Sequence, residues 1–75
     1  MQTEVNSILL FKTNIQSLAD QFRLRSFLDK IKSIQRWTID TEDIDCVLRI
    51  VSTNLQPAQV MQEIRLMGYE CSELD

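Results

Sequence analysis

Apolar residues follow one another without a break at Ile8-Leu9-Leu10-Phe11, and such a run, apolar on both faces, predicts a central strand over residues 7–13. From Ser17 to Ile31 the period lengthens. Leu18, Phe22, Phe27, Leu28 and Ile31 recur at helical spacing with Leu24 beside them, while Gln21, Arg23, Lys30 and Lys32 hold the opposite side. Ser17 suits the N-cap, and Asp20, three residues on, completes a near capping box and sets a negative charge against the helix dipole. Alternation returns at residues 35–40, with Trp37 and Ile39 on one side and Arg36, Thr38 and Asp40 on the other, as in a half-buried strand. The acidic stretch "DTEDID", Asp40 to Asp45, breaks that pattern as a turn does.

The next strand is expected from Ile44 to Val51, with Ile44, Cys46, Leu48 and Ile50 on one face and Val47, Arg49 and Val51 on the other. A second helix starts at Pro57, whose fixed φ and missing N–H fit the first helical position. Gln59 falls at N3, Leu55 can staple onto Val60, and Val60, Ile64 and Met67, with Met61 beside them, form the buried stripe. Gly68, the only glycine, stands where a left-handed C-cap is wanted, and a short strand over Tyr69 to Leu74 closes the chain. The order βαββαβ predicts an α+β, ferredoxin-like sandwich: a four-stranded antiparallel sheet with both helices on one face. Right-handed crossovers put the first and third strands in the centre and the second and fourth at the edges.

Composition narrows the class. Seventy-five residues make one domain, residues 1–75, which buries only ~60% of the surface its unfolded chain exposes, so self-association is a natural supplement to its stability. With 44% apolar and 25% charged residues, one Gly and one Pro, neither linker nor low-complexity segment is expected. No stretch approaches the ~20 apolar residues of a membrane span. Met1 to Ser7 carries no positively charged side chain ahead of an apolar stretch too short for a signal peptide, so a cytoplasmic location and no membrane partner are expected. Two cysteines and no Asn-x-Ser/Thr site agree with that expectation. The net charge of −3 is unevenly spread: Arg23, Arg25, Lys30, Lys32 and Arg36 precede Asp40, Glu42, Asp43 and Asp45, with Glu70, Glu73 and Asp75 at the end. A solvated helix face and turn account for this, and the asymmetry can also steer a charged partner or head-to-tail contacts.

With its elements laid out, the chain resembles the heavy-metal-associated domain of copper chaperones and metal-pumping ATPases over nearly its whole length. The resemblance is carried by "DCVLRIVSTNLQPAQVMQEIRLMGYECSEL", a strand, a polar loop, a helix of V-x-x-x-I spacing and the pair Gly68-Tyr69 before a short strand. In that family the first loop reads Gly-Met-x-Cys-x-x-Cys and its two thiolates bind a soft metal. Here Asn14 and Ile15 stand where Gly and Met would be, and Ser17 and Asp20 where the cysteines would be, with no Cys or His from Met1 to Ile44. A hydroxyl and a carboxylate do not replace thiolates for Cu(I) or a closed zinc site, so the resemblance implies the fold without the metal.

The remaining chemistry is sparse. Cys46 is expected as a small core residue in mid-strand, and Cys71, on or near an edge strand, as the more exposed and the candidate reactive thiol. The first strand should hold the two ~9–10 Å apart, beyond the ~7 Å a disulfide spans. Met61 and Met67 read as core, and "DTEDID" lacks the turn glycine and distal Glu of a calcium loop. There is no histidine to serve as general base, and "KTNIQS" lacks the arginine and the nest of the acylphosphatases, which share this element order, so no enzyme is expected and catalytic residues are none. Nucleic acid is not expected either, since "CVLRIV" offers no stacking aromatic and the net charge is negative.

What remains is interaction. Trp37, on the second strand, either packs under the helices with Ile39 or serves a partner, and the uncovered sheet face should collect apolar residues such as Val47 and Val51. The leading expectation is a small interaction or self-association module, possible homodimer included, with no cofactor and no metal. The alternative is a non-standard heavy-metal binding or transfer protein using Cys71 with Tyr69, a methionine or a second subunit. A third is an anion or amino-acid site at the turn from Asn14 to Ser17, where a helix start presents free N–H groups.

Overall fold

A computed structural model describes residues 7–74 and has the expected order: β1 (Ser7–Thr13), α1 (Leu18–Leu28), β2 (Ile34–Asp40), β3 (Val47–Ser52), α2 (Pro57–Leu66) and β4 (Cys71–Glu73). The N-terminal stretch of residues 1–6, from which no signal peptide is expected, and Asp75, the last of the closing acids, lie outside the described residues. The sheet runs β2-β3-β1-β4, and each described pairing is antiparallel, so β1 and β3 are central and β2 and β4 are edges. This is the ferredoxin-like βαββαβ arrangement.

The register sorts the side chains into two faces. Leu9 and Phe11 of β1 stand opposite Ile50 and Leu48 of β3, which in turn stand opposite Trp37 and Ile39 of β2. These residues face the helices, and Phe11, Leu48 and Ile50 join Ile15, Leu24, Leu28, Val60, Ile64 and Cys71 in one buried cluster. The alternate residues form the other face: Ile8 opposite Val51 and Val51 opposite Arg36, then Leu10 opposite Arg49 and Arg49 opposite Thr38.

α1 begins as the sequence predicts, with Ser17 at the N-cap and a reciprocal capping box to Asp20. It ends at Leu28, three residues before Ile31, and single-turn bonds from Lys30 to Phe27 and from Ile31 to Leu28 carry the chain into β2. Its buried stripe also differs from the expected one. Leu24 and Leu28 are buried, with Phe27 and Ile31 packed beside them, whereas Leu18 is 79% and Phe22 71% exposed. The geometry explains the split: at 3.6 residues per turn, Leu18 lies about 120° and Phe22 about 160° around the helix from Leu24. The sequence carries two apolar stripes, and only one can face the sheet.

α2 starts where expected, but Met67, expected in its buried stripe, is the C-cap and only half-buried. Pro57 is its first residue and Val60 and Ile64 are its buried side chains. Gly68 adopts φ +99, and the N–H groups of Gly68 and Tyr69 bond to the carbonyls of Arg65 and Ile64, the paired closure of a Schellman motif.

β3 starts at Val47 rather than Ile44, because the acidic turn is longer than a strand pattern suggests. The Asp40 carboxylate accepts from the Glu42 N–H at 3.1 Å and that of Asp43 from the Asp45 N–H at 2.8 Å. The Asp43 carbonyl accepts from the Cys46 N–H at 2.9 Å. Asp side chains thus compete with the ladder for backbone donors, leaving Ile44 95% exposed in the turn and Cys46 at φ +43 just outside the strand. Cys46 is buried as expected.

Two substitutions test the register of α1. Leu24→Ala is expected to cost about 3 kcal/mol, most of the stability of so small a domain, whereas Phe22→Ala should stay within about 0.5 kcal/mol. Urea unfolding at low protein concentration reads both, and equal losses would contradict the burial assigned here.

Candidate functional site

The β1–α1 loop meets the segment after α2 at one corner of the fold. Here that corner is filled by the protein's own groups. Ser17 Oγ accepts from the Asp20 N–H at 3.1 Å and Asp20 Oδ2 accepts from the Ser17 N–H at 3.4 Å. The other oxygen, Oδ1, accepts from the Tyr69 hydroxyl at 2.7 Å, a contact between residues 49 apart in the chain. One residue further on, the Glu70 N–H donates to Asn14 Oδ1 at 2.9 Å. The hydrogen bond from Tyr69, helped by Ser17, holds the Asp20 carboxyl below its ordinary 3.8. The same bond raises the Tyr69 phenol above its ordinary 10.0.

The helix start was considered above as an anion site. Asp20 already meets that need, since its carboxylate takes the backbone donor at Ser17, while Thr13 Oγ1 accepts from the Ile15 N–H at 3.2 Å. Ser17 and Asp20 therefore cap α1 and tie it to Tyr69.

Next to this corner lies a shallow depression of about 680 Å³. Lys12, Asn14, Asp45, Arg65, Glu70 and Ser72 line it together with both cysteines. Thr13 stands between the two thiols: it is paired with Cys71 across the β1–β4 ladder, and its hydroxyl donates to the Cys46 carbonyl at 2.7 Å. Both cysteines are free, separated by β1 as predicted. The expectation that Cys71 is the exposed thiol is overturned. It is 4% exposed and belongs to the core cluster, and burial pushes its pKa up to about 11 despite the nearby Arg65. Arg65 Nε donates to the Cys71 carbonyl at 2.9 Å, so the guanidinium anchors the backbone of β4. Among the described residues no three His, Cys, Asp or Glu side chains come together as metal ligands.

The other features lie on the exterior. The uncovered sheet face bears Ile8, which is 54% exposed, and Leu10, with Val47 and Val51 half-buried beside them. Lys12, Arg36, Arg49 and Asp40 share that face by register. A second surface, which periodicity did not reveal, is a groove of about 610 Å³ between α1 and the edge strand β2. Leu18 and Phe22 form one wall and Trp37 and Ile39 the other, with Arg25 and Asp29 among the polar residues along it. Trp37 meets the first expectation: it packs against the core, and its indole N–H donates to Asp29 Oδ1 at 3.3 Å beside the groove.

The chain matches no protein-family model, no curated protein and no solved structure. Among the described residues no helix is long and apolar enough to cross a membrane.

Two outcomes follow from this chemistry. Asp20, with its pKa lowered, stabilises the fold fully above the unfolded value and loses that contribution as pH falls through the folded one; Tyr69, with its pKa raised, stabilises below its unfolded value and loses that contribution as pH rises through the folded one. Asp20→Asn should therefore be less stable than the parent near about pH 7, and the gap should narrow as the carboxylate is protonated below its ordinary range, read by urea titration at each pH. The Cys71 thiol should react with a disulfide reagent at a rate set by unfolding, and rapid modification of the native protein would contradict its burial.

Proposed function

We propose that this chain is a protein-interaction module: a small domain with a metal-chaperone-like fold that works in the cytoplasm through its surfaces rather than through a metal, cofactor or catalytic group. The observation that supports this most is the pair of apolar surfaces left open, one on the bare side of the sheet and one along the α1–β2 groove. A domain of this size gains little by exposing Leu18, Phe22, Ile8 and Leu10 unless something covers them. The corner where the resembling family binds metal contributes to the same reading from the opposite side. Three of its donors are satisfied internally: the Ser17 N–H and the Tyr69 hydroxyl by Asp20, and the Glu70 N–H by Asn14.

The metal-handling alternative through Cys71 draws no support from a thiol that is buried and held protonated. Competition for Cu(I) against a chelator should leave the protein metal-free, with Cys71→Ser indistinguishable from the parent. The interaction reading itself is tested by light scattering over a micromolar concentration series, with crosslinking in cells to capture a second protein. Concentration-dependent mass or a specific crosslinked partner is expected. A strict monomer with no crosslinked species would end the proposal.

A further inference from the structure

β2 and β4 end the sheet in different ways. β4 is three residues long and offers little to pair with, whereas β2 runs for seven, with a register irregularity between Ile34 and Arg36 that leaves Arg36 to Asp40 as its regular part. A long edge strand is a template for another strand unless something blocks it. β2 has no proline, and its charged residues, Arg36 and Asp40, lie at the two ends of the regular part, on the same face as the Thr38 between them.

That segment, Arg36-Trp37-Thr38-Ile39-Asp40, is complementary to itself when run backwards. In an antiparallel pair centred on Thr38, Arg36 faces Asp40 of a second copy and Asp40 faces Arg36. Trp37 faces Ile39 on the helix side, Ile39 faces Trp37, and Thr38 faces itself. Opposite charges and aromatic–aliphatic pairs directly across a ladder are the combinations that stabilise antiparallel strands. Centring one residue to either side forfeits both ion pairs within the regular segment. The groove walled by Leu18 and Phe22 lies along this same edge, and Trp37 and Ile39 form its other wall. A strand added at the edge therefore brings apolar surface to the residues that α1 leaves uncovered. Stacking two bare sheet faces would instead bring together three cations from each copy, Lys12, Arg36 and Arg49, with Asp40 as the one anion among the described residues of that face to offset them.

We propose that two copies of this chain join edge to edge through β2, in antiparallel register about Thr38, to form one continuous eight-stranded sheet with the α1 helices of both copies on the same side. This deepens the interaction reading and rests on it, naming the partner and the surface. The contact is isologous, so it closes at two copies.

Charge reversal tests the register directly. Arg36→Asp places Asp against Asp40 at both ends of the joint, and Asp40→Arg places Arg against Arg36. Each single variant should weaken dimerisation about tenfold or more. The double variant R36D/D40R should associate as the parent does. Mixing the two singles should give a heterodimer that neither forms with itself, which also shows that both remain folded. Thr38→Cys should crosslink to itself under mild oxidation, because residues directly opposite in antiparallel strands are about 4.5–5.5 Å apart at Cα, within disulfide range. Ser72→Cys, on the β4 edge, should not. Sedimentation equilibrium and non-reducing gels read these outcomes. Association of the parent that survives the single reversals, fails to crosslink through position 38 and disappears in Val51→Lys overturns the inference while leaving an interaction module standing. A parent that never associates overturns the inference, and only the absence of any crosslinked partner in cells removes the broader reading as well.

Discussion

The Asp20 carboxylate accepts hydrogen bonds from two directions: from the start of its own helix at Ser17, and from the Tyr69 hydroxyl at the far end of the chain. Its position follows from two local choices that each have an independent cause. Ser17 caps α1 and fixes where the first turn begins, so Asp20 falls at N3 and turns back. Gly68 takes a positive φ and reverses the chain after α2, which presents Tyr69 to that turn before β4 starts. One oxygen then serves the helix and the other the tyrosine. The first and second halves of the chain are thereby joined outside the sheet ladder, and the corner between the β1–α1 loop and Tyr69 is closed by a group of the protein's own.

Once that corner is closed, the distribution of apolar surface decides what the domain can do. α1 carries more large apolar residues than one face can bury; Leu24 and Leu28 take the core, and Leu18 and Phe22 are left over β2. Such excess is costly in a soluble monomer, where each exposed side chain invites nonspecific contact. In the proposed dimer it lies beside an edge strand whose charges would discriminate among partners. Arg36 and Asp40 contribute little as isolated surface charges. Their effect lies in penalising registers and partners that bring like charges together.

Much of this was legible from the sequence, and the parts that were not share a physical reason. Element order, the Ser17 cap, Pro57 at the first turn of α2 and the Gly68 cap are set by residues within a turn of one another, so local pattern is enough to find them. The central and edge strands followed from handedness. Periodicity failed where two local signals compete. In α1, two apolar stripes compete for one face of the sheet, and only tertiary packing chooses between them. At Ile44 the apolar alternation of a strand competes with Asp side chains that bond to the backbone, and the turn wins up to Cys46. Cys71 shows a third limit: three-residue β4 is an edge, but its cysteine joins the core cluster and is buried there. The contact from Tyr69 to Asp20 spans 49 positions and leaves no periodic trace, so no reading of neighbouring residues could have placed it.

A sheet with a sticky edge must still avoid growing without end, and the same features that favour pairing at β2 bear on that. An antiparallel contact through a two-fold axis consumes both β2 edges and exposes none. Among the described residues, the edges then remaining are the stretch of β1 before Leu10, beyond the reach of β4, and the two β4 strands, each three residues long. Arg65 anchors the Cys71 carbonyl at their start, while the acidic Glu70 and Glu73 flank them. Short, charged edges are poor templates for a further strand. At the other end of β2, the irregularity before Arg36 interrupts the ladder and limits the joint to the five residues whose side chains match. Selectivity in such an arrangement comes from the contrast between the two edges, since a β4 as long and regular as β2 would turn a closed pair into a fibre.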